Sequence, residues 1–187
     1  MDGIALMVEE HKNIKRMLTV IRKACLEIMN GAEINYDDFA NIIDFVRNYA
    51  DKHHHGKEEK ILFNRMVDEI GGVAEKLVKF GMLVEHDLGR FHIKQLEEAL
   101  ARVKALDNEA KLDVIANAIA YADLLNRHID KEDNVVYTFA KRELRIETLK
   151  EVDAECKLLE EETELYGLQN KYINMLEGLE KKYNSKN

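Results

Sequence analysis

A chain of 187 residues is long enough for one domain with a sizeable core and short for two. Nine glycines, no proline, 46% hydrophobic and 34% charged residues suit an all-α protein, because proline normally punctuates loops and strand edges. A formal charge of −8 and a pI near 5.4, with no basic patch to compensate, argue against nucleic acid or an anionic membrane as partner.

Charges interrupt every apolar run short of a membrane span, and residues 1–18 lack the basic-then-apolar order of a signal peptide. A cytoplasmic protein is expected. Cys25 and Cys156 are too few and too far apart for a disulfide framework or a thiolate metal site, and read as reduced, half-buried helix residues.

Read for a period of 3.6, the first helix places Ile4, Met7, His11, Ile14, Leu18, Ile21, Cys25 and Ile28 on one stripe and ends at Asn30-Gly31. A second begins near Tyr36-Asp37, turns Phe39, Ile43, Val46, Ala50, His54, Glu58, Ile61 and Arg65 inward, and breaks at Gly71-Gly72. The third, Val73 to Leu106, aligns Val78, Met82, His86, Gly89, Ile93, Leu96, Leu100 and Val103. The fourth, Glu109 to Leu144, aligns Val114, Ala118, Tyr121, Leu125, His128, Glu132, Val135 and Phe139. Short connections make successive helices antiparallel, which predicts an up-down-up-down four-helix bundle over residues 1–144. Residues 145–187 form an additional C-terminal helical segment packed on or beside the bundle, either one helix or a pair broken around Tyr166-Gly167.

Polar residues thus sit at mid-length on all four inward stripes. The stretch HHGKEEKILF from His54 aligns without gaps with HIDKEDNVVY from His128, and Glu10-His11 upstream matches Glu85-His86. The bundle therefore reads as a duplicated helix pair, whose approximate two-fold symmetry brings both polar sets to one level. Residues four apart share a helix face, so His54 with Glu58 and His128 with Glu132 each aim an imidazole and a carboxylate at one point. Adding His11 and His86 gives four nitrogens and two carboxylates converging from four helices, a donor set suited to iron or manganese rather than a closed thiolate zinc site. A carboxylate can bridge two cations while imidazoles cap the outer positions, and six protein ligands leave positions open for a small molecule. Each histidine alone is more readily a hydrogen-bonded core residue; their repetition in register favours metal, because coordination removes the desolvation cost of unpaired buried groups.

The phrases EEH, HHGKEEKILF, EHDLGR and HIDKEDNVVY, spanning residues 9–137, resemble the HHE cation-binding motifs of the hemerythrin-like family. The resemblance implies a non-haem di-iron centre in an up-down bundle, two iron ions per chain bridged by an oxo or hydroxo ion, with manganese or zinc as alternatives. It implies metal ligands at His11, His54, Glu58, His86, His128 and Glu132, and a site that binds dioxygen or a related small molecule such as peroxide or nitric oxide. The last helical stretch, LQNKYINMLEGLEKKY, is similar to an extra C-terminal segment of many members and offers a surface for a protein partner.

The sequence departs from the oxygen carriers of that family in two places. Carriers have two histidines four apart on the third helix, and here the residue four after His86 is Arg90; His55 is the candidate replacement, whereas His53 and His92 are expected to face solvent. Carriers also use an aspartate five residues after the fourth-helix histidine, while the repeat here favours Glu132 over Asp133. A metal one nitrogen short is more open, which shifts the expectation from oxygen storage toward sensing or scavenging. Peroxidase, catalase-like, nitric-oxide-reducing or iron-sulfur-repair activity, and an iron-sensing or metal-stapled interaction module, are the alternatives. Glu10 and Glu85 either orient histidine ring N–H groups or are simply solvated, the second being the expectation; Gly89 either permits close approach over the pocket or serves helix packing, and Tyr121 either points at the site as a hydrogen-bond donor or, as favoured, is a core aromatic.

Overall fold

Helix starts follow local chemistry: Asp2 accepts a hydrogen bond from the Ala5 N–H at 2.9 Å, and Asn35 accepts one from Asp38 at 3.1 Å, each satisfying a donor the first turn leaves open. In this computed structural model, which describes residues 2–184, the chain forms six helices and no strand among the described residues. They are α1 (Gly3–Met29), α2 (36–70), α3 (72–104), α4 (110–143), α5 (Ile146–Glu164) and α6 (Leu168–Asn184). The all-α expectation is met; the last three residues of the expected tail lie outside the described residues. No described helix is long and apolar enough to cross a membrane.

Gly71 joins α2 to α3 at a φ of 77°, a conformation that costs a residue with a Cβ and is open to glycine. Cross-helix pairs give the directions. Asp2, which caps α1, and His11, Lys15 and Arg22 within it meet Lys141, Asp133, Asp130 and Asp123 of α4 in falling order. Glu59, Asp51 and Arg47 of α2 meet His86, Arg90 and Glu97 of α3 in the same manner, and α3 runs antiparallel to α4. The result is an up-down-up-down bundle whose core carries Met7, Ile14, Leu18, Phe39, Tyr49, Leu62, Leu96 and Leu125.

The segment beyond the bundle is a broken pair that continues in one direction. α5 runs antiparallel to α2, from Thr148 beside Glu69 through Glu155 beside Arg65 to Glu160 beside Lys57. After a break at Gly167, φ 62°, α6 carries on past Asp44 to Asp38. On its other flank this strap follows α1, from Asp153 at the Gly3 N–H (2.7 Å) to Glu180 on Arg16. Gly3 lets α5 approach, since a Cβ there would stand 2.9 Å from Cys156 Sγ. Cys25 and Cys156 are free, and fully buried rather than half-buried.

Three of the long helices depart from regular α geometry. Wide turns closed by i→i+5 hydrogen bonds occupy Val46–His55, Glu58–Phe63, Val78–Met82 and Glu132–Val136; Gly56 N–H bonds to the Asp51 carbonyl, and Tyr137 N–H to that of Glu132. Such a turn inserts one residue and rotates everything after it. The inward stripe expected at Val135 and Phe139 is accordingly replaced by Val136 and Ala140, and Met66 is buried where Arg65 was expected. Arg65 instead points outward to Glu155. Wide turns also diminish the angle between successive side chains, which is how His53, His54 and His55 are all buried together.

Candidate metal centre

Six sequence-predicted residues and His55 converge at mid-bundle. Among the described residues, one set of metal-capable atoms comes from His11, His54, Glu58 and Glu132 and a second from His55, Glu58, His86 and His128, each set lying within 4.8 Å of itself. All seven side chains are buried. Glu58 belongs to both sets, its Oε2 standing 3.7 Å from His54 Nε2 and 3.5 Å from His86 Nε2. Glu132 also faces both, with Oε2 at 3.3 Å from His11 Nε2 and Oε1 at 3.0 Å from His128 Nε2. His55 stacks on His86 with ring centroids 3.8 Å apart, on the side where Arg90 stands in place of a histidine.

The outer nitrogen of every one of these histidines meets a carboxylate. His11 Nδ1 pairs with Asp133 at 2.7 Å, His54 with Glu10 at 2.8 Å, His55 with Asp51 at 3.3 Å, His86 with Glu59 at 2.7 Å and His128 with Glu85 at 2.9 Å. A carboxylate can only accept, so each Nδ1 carries a ring proton, and in a neutral ring the inner Nε2 is then the lone-pair atom turned toward the centre. His86 Nε2 and His128 Nε2 then face one another at 3.0 Å, an arrangement that needs a proton or cation between them. His11 Nε2, His54 Nε2, Glu58 Oε2 and both Glu132 oxygens find no hydrogen-bond partner among the described residues, at a cost of about 1–3 kcal/mol each when buried. Nitrogen and carboxylate oxygen donors brought together in this way could hold metal.

The electrostatics agree. Burial and neighbouring Glu132 push the Glu58 carboxyl well above its usual range; Glu132, against the same burial, is held low by His128 and His11. Burial and the adjacent His11 lower His54 to about 4. Burial opposes protonation of His128 too, but Glu132 and Glu85 raise it to about 10. Glu58 and Glu132, and likewise His54 and His128, are thus pushed in opposite directions, a strain that positive charge between them would relieve.

The duplication is visible in the connections. Glu10 and Glu85, which precede the histidines of α1 and α3, reach His54 and His128; Glu59 and Asp133, which follow Glu58 and Glu132, reach back to His86 and His11. Phe63 stacks on His86 as Tyr137 does on His11. Three differences break the symmetry. His55 has Ile129 as its counterpart, and the Tyr137 hydroxyl, which Phe63 lacks, donates to Glu58 Oε1. Lys57, on Glu10, is wholly buried, whereas Lys131, on Glu85, is 48% exposed.

Several expectations are corrected. Glu10 is buried on His54 and Glu85 bonds His128 and Lys131, so of the two readings the ring-orienting one fits and the solvated one does not; cross-helix reach, not sequence adjacency, decides which rings they meet. His53 is buried against Glu10, Lys57 and Glu160, and half-buried His92 meets Asn117. Tyr137, Asp51, Glu59 and Lys57 escaped the sequence reading, although the acid following each motif glutamate was part of the repeat. Gly89 serves packing: a Cβ there would meet Leu125 at 3.3 Å and Tyr121 at 3.5 Å. A cavity of about 430 Å³, lined by Val46, Asp51, Gly89, Arg90, Ile93 and Tyr121, reaches His55 and His86 from outside.

A family model described as the hemerythrin HHE cation-binding domain matches residues 2–140. No curated protein and no solved structure gives a match. With most of the chain matched, and with clusters of histidine and glutamate able to hold metal inside that span, the chain belongs to the hemerythrin HHE cation-binding family.

Proposed function

We propose that the protein is a non-haem di-iron protein that binds or senses a small oxidant, dioxygen, peroxide or nitric oxide, between the helices of its bundle. The observation that carries this reading is the set of five buried, partnerless ligand-type atoms of His11, His54, Glu58 and Glu132, facing inward. Glu58 and Glu132 would be shared by the two metals. His11 and His54 would complete one set, and His55, His86 and His128 the other. Two irons would supply one-electron equivalents and a Lewis-acidic pole for such a ligand.

The chain's own residues define the rest. The five outer carboxylates fix ring orientation and raise imidazole basicity. Tyr137 donates to Glu58 Oε1, which leaves Oε2 as the oxygen facing His54 and His86. Phe63, stacked on His86, and Tyr137, stacked on His11, are buried and shield these rings from water, limiting proton entry. Access runs through the cavity at His55 and His86, on the face where Arg90 replaces the carriers' histidine.

A second reading, turnover of peroxide, fits a centre whose His55 and His86 line a cavity open to the outside, through which substrate and product could exchange. Anaerobic loading with ferrous iron, followed by optical titration with dioxygen, peroxide and nitric oxide, tests the first reading: saturable spectral change should appear and vanish in Glu58→Ala. Sustained peroxide consumption by the loaded protein, lost in the same variant, would select the second. No spectral response to any of the three would refute both.

A further inference from the structure

The strap reaches the site at one place. Its two halves meet at the height of the metal centre, where Glu160 near the end of α5 and Gln169 in the first turn of α6 close over Lys57 and His53. Glu160 Oε1 accepts from Lys57 Nζ at 2.5 Å, its Oε2 accepts from Gln169 at 3.0 Å, and Gln169 Nε2 lies 3.2 Å from His53 Nε2. Lys57 in turn bonds Glu10 Oε1, while Glu10 Oε2 accepts from His54 Nδ1 at 2.8 Å. An unbroken chain of contacts therefore joins a strap that lies beyond the matched residues 2–140 to a histidine of the centre.

The two-fold repeat supplies an internal comparison. On the other half Lys131 bonds Glu85, which bonds His128, and Lys131 is solvated. Water there shares the ammonium charge. Lys57 is sealed from water, and Glu160 takes that part. Without it Lys57 would keep only the His53 ring, 2.9 Å away, and Glu10 as its one anionic partner, drawing that carboxylate toward the ammonium and weakening it as the acceptor for His54 N–H. A histidine whose outer hydrogen bond weakens is a less basic and less firmly aimed ligand.

We propose that Glu160 is a positioning residue for His54, acting through Lys57 and Glu10, so that seating of the C-terminal strap and metal occupancy are coupled. The coupling rests on the metal reading above and is reciprocal: metal bound at His54 tightens the strap around residues 160–169, and displacement of the strap loosens the metal. The strap is thereby the element through which a state of the centre is transmitted to the surface. Leu165 and Tyr166, exposed at its break, are the residues that would move.

The test uses the full chain and ferrous iron under anaerobic conditions. Iron affinity is read by competition with a chelator, and hydrogen exchange is followed at residues 160–169 with and without iron. Glu160→Gln keeps the shape and removes the charge; Glu155→Gln, which breaks the exposed contact to Arg65 on the same helix, loosens docking without touching Lys57. Expected are an affinity loss of about tenfold in Glu160→Gln, typical of removing an outer partner of a ligand, and disappearance of iron-dependent protection at the break. Glu155→Gln should keep both. Iron affinity within twofold of wild type in Glu160→Gln, protection that ignores iron, or equal losses in both variants would overturn the coupling. Failure of the wild-type chain to take up iron at all would instead bring down the metal reading and the coupling with it.

Discussion

Replacing Val136 by alanine probes the wide turn that begins at Glu132. If α4 kept regular α geometry past His128, Val135 and Phe139 would face the core; with one residue inserted, Val136 and Ala140 do. Val136 is 0% exposed and Val135 54%. Truncating Val136 removes two buried methyl groups, about 1.6 kcal/mol of transfer free energy, and leaves a cavity that brings the cost to about 2–3 kcal/mol. Truncating Val135 should stay within about 0.5 kcal/mol. Urea unfolding followed by far-ultraviolet circular dichroism, with chelator present so that cation binding adds nothing, resolves the two. At a slope of about 2 kcal/mol per molar, the Val136→Ala midpoint should fall by about 1–1.5 M while that of Val135→Ala hardly moves. Equal shifts, or a larger one for Val135→Ala, would refute the inserted residue and with it the account of how Glu132 is aimed.

Other perturbations follow from the same geometry. His55→Ala removes one donor from the set of His55, Glu58, His86 and His128, and iron bound per chain should drop toward one; undiminished loading would remove His55 from the proposed ligands. Tyr137→Phe leaves Glu58 Oε1 without its donor and should destabilise the metal-free protein by about 1–3 kcal/mol in the same urea assay, an unchanged midpoint counting against the hydrogen bond. Burial alone would raise the Glu160 carboxyl, but hydrogen bonds from His53 and Lys57 bring it down from 4.5 to about 2. A depressed carboxyl stabilises the fold fully above its unfolded value, and that part is lost as pH falls from about 4.5 through 2. Wild-type thermal stability should therefore decline more steeply over that window than that of Glu160→Gln, and parallel curves would contradict the assignment.

Much of the bundle was legible because its signals are local. Asn30-Gly31 and Gly71-Gly72 punctuate the helices, and the break at Tyr166-Gly167 was open to view, since glycine tolerates the positive φ found at Gly31, Gly71 and Gly167. The residues that converge were legible through the repeat, because i, i+4 spacing puts His54 with Glu58 and His128 with Glu132 on one face whatever the tertiary context. The phase beyond the site was not, since a wide turn leaves no mark in a 3.6 period and moves burial from Arg65 to Met66. Outer partners were misread where adjacency misled: Glu10 precedes His11 yet serves His54, one helix away. The burial of His53 and Lys57 depends on a strap more than 100 residues downstream, and no local pattern announces that Glu160 will lie on them.

The most direct measurement is the metal content of the full chain purified without oxygen and without added chelator. Two irons per chain are expected, falling sharply when both Glu58 and Glu132 are replaced by alanine, since each faces both histidine sets. One zinc per chain, or no metal in a folded protein, would contradict the di-iron centre.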